Sequence, residues 1–115
     1  MEYETKVKLF VDGAPSEWIA CAIVCLYDRD RLSGDDALGM NVTNAYGEAI
    51  FRFREDEFLD LDDRIGGTLP ELYVKVFDSE GNCVVTTRAE ARRNAVPDLI
   101  RIPIDRELAR RHRLV

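Results

Sequence analysis

The side chains best suited to chemistry are the aspartates of one short stretch, Asp28-Arg29-Asp30-Arg31-Leu32-Ser33-Gly34-Asp35-Asp36, which follows an apolar run and leaves through Gly39. Asp28, Asp30, Asp35 and Asp36 offer the hard oxygen ligands that Ca2+ collects, about six to eight at a time. Two features oppose that reading. Arg29 and Arg31 stand between the aspartates and can neutralise them, and aspartate readily serves ordinary turns. Calcium is therefore an alternative here, and calorimetry is expected to show no binding at millimolar Ca2+.

No other set of residues completes a reactive constellation. His112 lies in the basic stretch Arg110-Arg111-His112-Arg113 with no carboxylate or nucleophile beside it, so it lacks an orienting partner and is expected at the surface. Ser33, Ser79, Cys21, Cys25 and Cys83 have no neighbouring base that spacing identifies. The three cysteines show no CxxC spacing, which indicates neither a zinc site nor a disulfide framework, and they are expected to be reduced thiols. These readings point away from an enzyme.

The elements that must position these side chains belong to one domain: 115 residues, 46% of them hydrophobic, suffice for a single core. The formal charge of −6 disfavours nucleic acid as a partner. The charge is uneven, because residues 28–63 hold eleven acids against four bases and residues 86–115 hold eight arginines against four acids. Residues 1–20 contain Glu2, Glu4, Asp12 and Glu17 with no apolar run, and no stretch approaches the length of a membrane span, so a cytoplasmic setting without membrane contact is expected. Arginine outnumbers lysine thirteen to three, as in chains from GC-rich bacteria.

Alternation supplies the strands. Val7, Leu9 and Val11 face one way against Lys6, Lys8 and Phe10, and Asp12-Gly13-Ala14-Pro15 turns the chain. Trp18 to Tyr27 reads as one long strand, apolar on both faces, with Ile19, Cys21, Ile23, Cys25 and Tyr27 on the second. A sandwich strand needs only one apolar face, so the other must be covered, by loops of the same chain or by another copy. Met40 and Val42, then Glu48 to Arg54, Leu72 to Phe77, Cys83 to Thr86 and Ile100 to Ile104 follow as strands, with turns at Asn44-Ala45-Tyr46-Gly47 and Asp78-Ser79-Glu80-Gly81-Asn82. Glu55 to Asp63 reads as a helical turn before Gly66-Gly67, and Thr87 to Val96 as an arginine-rich loop. Asp105 can cap a short C-terminal helix. About seven short strands with almost no helix describe an all-β sandwich.

The succession Leu26-Tyr27-Asp28-Arg29-Asp30, Asp35-Asp36-Ala37-Leu38-Gly39, Thr43-Asn44-Ala45-Tyr46-Gly47, Leu72-Tyr73-Val74-Lys75-Val76-Phe77-Asp78 and Ile100-Arg101-Ile102-Pro103 resembles the transthyretin-like (prealbumin-like) domains over residues 5–104. The resemblance implies a seven- to eight-stranded Greek-key sandwich used as a binding or accessory module, often self-associating. The hydroxyisourate hydrolases of that fold need several histidines and a Tyr-Arg-Gly-Ser type tail, and the related intradiol dioxygenases bind iron through two tyrosines and two histidines. This chain has His112 alone and ends Arg113-Leu114-Val115. The acidic stretch also looks like a calcium loop of C2 domains, although only Asp78 and Glu80 stand ready as a second ligand loop.

The expectation is thus a sandwich over residues 1–104 with a basic tail over 105–115, acting without catalysis or cofactor as a protein-interaction or structural module. The expected interface comprises Ile19, Cys21, Ile23 and Tyr27, with Arg110 and Arg111 of the tail available to dock on an acidic surface. Its partner is a second copy or another protein. A calcium-dependent binding domain and a small-ligand carrier are the alternatives.

Overall fold

In β1 (Glu2–Val11), Thr5, Val7, Leu9 and Val11 are fully buried while their neighbours face outward, so a single period-2 pattern makes this strand the centre of one sheet. The computed structural model describes residues 2–30, 34–57 and 69–115. β2 (Ala14–Trp18) turns back on β1 through Asp12 and Gly13, whose φ of 81° suits glycine. β5 (Glu48–Arg54) pairs antiparallel with residues 2–8 of β1, and β8 (Leu99–Ile104) runs parallel to residues 6–11. The second sheet has the order β4-β3-β6-β7, from β3 (Ile23–Asp28), β4 (Asp36–Val42), β6 (Leu72–Phe77) and β7 (Cys83–Thr86). Among the described residues the chain is therefore an all-β sandwich of two four-stranded sheets.

The core lies between the layers. Val7, Leu9, Phe51, Phe53, Ile102 and Ile104 of the first sheet meet Val24, Leu26, Leu38, Val74 and Val76 of the second, all at most 5% exposed. Gly39 lets β4 approach the Phe51 ring, which a Cβ there would meet at 3.1 Å. Gly47 closes the turn into β5 with φ 71°, where a Cβ would stand 2.4 Å from the Leu9 carbonyl oxygen.

The run Trp18 to Tyr27 is not one strand, which corrects the sequence expectation. β2 ends at Trp18 in the first sheet and β3 begins at Ile23 in the second. The crossing is made by residues 19–22, with Cys21 at φ 61°. Thr43 holds it: its hydroxyl donates to the Ile19 carbonyl at 2.8 Å and accepts from the Ala22 N–H at 3.0 Å, and its carbonyl accepts from the Cys21 N–H at 2.9 Å. The break shifts the phase of the alternation, so Ile19 and Ala22 are both fully buried.

The C-terminal segment is packed rather than a loose tail. Helix α1 (Arg106–Arg111) starts on the expected cap, Asp105 Oδ2 accepting from the Leu108 N–H at 3.1 Å. Ala109 is fully buried, and Leu108 and Leu114 lie against the core. The Arg106 guanidinium grips the Glu17 carboxylate bidentately at 2.7 and 2.8 Å, tying the helix to β2. Glu55–Glu57 forms one 3-10 turn, whereas the rest of the helical turn expected to Asp63, with Gly66-Gly67, lies outside the described residues.

Candidate functional site

The strands of the second sheet carry side chains of two kinds outward. Register sets Val42, Ile23 and Phe77 side by side across β4, β3 and β6, and Met40, Cys25 and Lys75 in the next row, followed by Ala37, Tyr27 and Tyr73. Met40 is 73% exposed and Val42 50%. Ile23, Cys25, Tyr27 and Phe77 are half-buried, whereas Tyr73 at the end of the face is 3% exposed, with the Arg88 guanidinium 5.9 Å from its ring. The Tyr27 and Tyr73 rings stack with centroids 5.1 Å apart, and Lys75 folds its ammonium to 5.3 Å from the Tyr27 ring. Packing among these groups removes water from them: desolvation pushes both the Cys25 thiol and the Tyr27 phenol above their ordinary pKa. Chemically the face is an apolar plate with Lys75 at its centre and the Arg88–Asp35 pair at its Tyr73 end.

Of the residues expected at an interface, Ile23 and Tyr27 lie on this plate. Ile19 does not: it is a core residue, for the reason given by the crossover. Cys21 is exposed on the crossover itself, and Arg110 and Arg111 are exposed on α1. The structure adds Val42 and Phe77, which the register brings beside Ile23, and Met40, which it brings beside Cys25. Cys21, Cys25 and Cys83 are free thiols.

Within the acidic stretch Asp28 and Asp35 are engaged by the chain itself, while Arg31, Leu32 and Ser33 lie outside the described residues. Asp28 is 3% exposed, and its Oδ1 accepts from the Glu71 N–H at 2.7 Å. Asp35 accepts from the Asp30 N–H at 3.0 Å, from Arg88 Nε at 2.8 Å and from the Tyr73 hydroxyl. The Arg88 guanidinium, and after it the Tyr73 hydroxyl, hold the Asp35 carboxyl down at about 2, while burial and that carboxylate push Tyr73 up to about 12. Arg29 bridges Glu71 at 2.9 Å and the Ala91 carbonyl at 3.0 Å, fastening the loop after β7 to the start of β6. Asp28, Asp30, Asp35 and Asp36 are thus not gathered around one point, and among the described residues no three of His, Cys, Asp and Glu stand together as metal ligands. Asp28 could have been placed from sequence: it continues the phase of Val24 and Leu26, both buried.

His112 is also relocated. Its Nδ1 lies 2.8 Å from Asp78 Oδ2, with 21% of the side chain exposed, so it has the carboxylate partner that its sequence neighbours did not offer. Asp78 accepts as well from the N–H groups of Glu80 and Asn82 at 2.9 Å. The His112 bond, then these amides, draw its pKa to about 2. The pair fastens α1 to the β6–β7 turn, and no signal short of the fold links residues 34 apart.

Two concavities lie among the described residues. One of about 620 Å³ lies on the outside of the first sheet, over Lys6, Lys8, Trp18, Glu48, Leu99 and Arg101. Another of about 560 Å³ lies under the arginine-rich loop, bordered by Pro70, Leu72, Thr87, Arg92, Pro97 and Ile102.

The sequence matches no family model and no curated protein. Among solved structures, a 9R-lipoxygenase from Cyanothece PCC8801 is similar to this chain with a TM-score of 0.51 and 20% identity, over 90% of this chain and 17% of that one. At this identity the likeness concerns the fold alone, and it does not bear on the transthyretin-like resemblance. No described helix is long and apolar enough to cross a membrane.

Proposed function

We propose that the protein is a non-catalytic interaction module, of the transthyretin-like kind that its motifs resemble, which pairs with a second copy through the outer plate of its second sheet. One observation supports this above the others: Met40 and Val42 stand 73% and 50% exposed on β4, in register with Cys25 and Ile23. Contiguous apolar surface of this kind marks contact sites. A second copy suits the apolar side chains, which need no matching charges, while Lys75 is turned onto the Tyr27 ring of its own chain.

Four strands about 4.8 Å apart and some six residues long make a plate of roughly 400 Å². A dimer then buries roughly 800 Å² in total, below the ~1,200 Å² of a stable specific interface, so the pairing is expected to be weak and to depend on concentration. Sedimentation equilibrium tests it. The wild type is expected to shift from monomer towards dimer with rising concentration, and Met40→Glu, which would set a carboxylate in the contact, to remain monomeric with an unchanged melting temperature. A wild type that stays monomeric throughout overturns the proposal, as does a Met40→Glu variant that dimerises normally.

A further inference from the structure

We propose that the trough on the outside of the first sheet binds an extended acidic peptide, whose carboxylates meet Lys6, Lys8 and Arg101 and whose apolar side chain rests on Trp18. This surface is separate from the plate, and the inference does not depend on dimerisation.

The same alternation that buries Val7 and Leu9 turns Lys6 and Lys8 outward from β1. In the parallel register Leu99 of β8 stands beside Lys6, and Arg101 beside Lys8. Trp18, 41% exposed, and Pro15 wall the resulting trough of about 620 Å³. The Lys8 ammonium lies 4.7 Å from the indole centroid, which leaves its side chain only 21% exposed.

The cations here are undersupplied with counter-charge. One carboxylate, that of Glu48, serves both lysines, at 3.5 Å from Lys6 and 3.7 Å from Lys8. Those separations exceed the ~2.7–2.9 Å of a charge-assisted hydrogen bond, so each amine keeps donors to give. Arg101 stacks over the Phe10 ring at 4.8 Å and has no carboxylate within ion-pair distance among the described residues. Asp98 also borders the trough. A ligand carboxylate therefore finds a partly dehydrated cluster of three cations beside an exposed indole, the kind of aromatic and basic mixture on which contact energy concentrates.

The spacing favours an extended chain over a compact anion. Lys6 and Lys8 are two residues apart on one strand, about 7 Å, which is also the repeat of same-side side chains in an extended peptide. Lys6 and Lys8 already share one compact anion, the Glu48 carboxylate, whereas Arg101 stands on the next strand beside Lys8, so the three cations together form a row that a chain with several carboxylates can follow. The protein's net charge of −6 does not forbid the contact, because solution screening shortens the reach of distant charges to about 8 Å.

Trp18 is the one tryptophan in the chain, so intrinsic fluorescence reads the wall of the trough. The full chain is titrated with a peptide of alternating Glu and Ala, its Lys–Ala counterpart, and inorganic phosphate. The expected result is a saturable change in emission with the Glu peptide alone, weakened by salt. Arg101→Glu should weaken it by about tenfold or more, while Arg54→Glu, on an exposed side chain at the end of β5 away from the trough, leaves it unchanged; melting curves confirm that both variants fold. The proposal is overturned by the absence of a saturable response. It is equally overturned by equal responses to the Lys peptide or phosphate, or by an Arg101→Glu variant that binds as the wild type does.

Discussion

The two outer faces of this sandwich are built by the same alternation and come out unlike. Outside the first sheet, Glu48 holds Lys6 and Lys8, Arg52 holds Glu4 at 3.2 Å, and Arg101 stacks on Phe10. Outside the second, Ile23, Met40, Val42 and Phe77 gather round Lys75, itself turned onto Tyr27. Folding demands only that the inner faces be apolar, so the fold leaves both outer faces free. A charged outer face is what water selects. An apolar one must be explained by something that covers it.

The sharpest way to break this contrast is to place the same charge on two isoleucines four residues apart. Ile19 is fully buried at the crossover and Ile23 faces outward on the plate. Ile19→Asp should cost several kcal/mol, about 3–5, by leaving an unpaired carboxylate in the core, and the chain should be unfolded or nearly so in circular dichroism. Ile23→Asp should melt near the wild-type temperature and lose the dimer. Equal melting temperatures for the two variants would mean that the crossover does not divide the run as described.

Acid is expected to act less strongly, and on the second sheet. Asp35 and Asp78 stand near its two ends, each held near 2 against an ordinary 3.8, chiefly by Arg88 and His112 respectively. A carboxyl whose pKa is lower in the folded than in the unfolded chain favours folding when ionised. Its contribution is complete above about pH 4 and is lost as pH falls through about 2. Denaturation midpoints measured from neutral pH downward should therefore fall in that window. The double variant Arg88→Ala, His112→Ala should start lower and lose less across it; parallel curves for the two proteins would show that these pairs do not set the acid limit.

Much of this was legible in advance, for physical reasons that vary along the chain. β1, β5, β6 and β8 follow from strict alternation, since Ala49, Phe51 and Phe53 or Ile102 and Ile104 can share a side only in an extended chain. The Asp105 cap and the turn at Gly47 follow from local chemistry as well. The crossover was hidden because an unbroken apolar run has no phase to read, and because Cys21 takes a positive φ that its side chain does not advertise. Half of the plate was visible as Ile23 and Tyr27. Met40, Val42 and Phe77 joined it only through register, which long-range pairing sets. The trough was invisible for the same reason: Lys8 and Arg101 become neighbours only when β8 returns beside β1.

The smallest expected effect bears on why the first sheet is charged at all. If its outward charges exist only to be solvated, Glu48 is one more ion-pair partner, and Glu48→Gln should alter nothing beyond stability, by under about 1 kcal/mol. If the trough receives carboxylates, Glu48 is instead a competitor lodged among them, because it occupies both lysines at 3.5 and 3.7 Å. Its removal should then raise affinity for the alternating Glu–Ala peptide several-fold, with the melting temperature scarcely moved and the plate's dimerisation untouched. Unchanged affinity would assign the charges of this face to solubility, and would leave the apolar plate as the surface proposed to meet a partner.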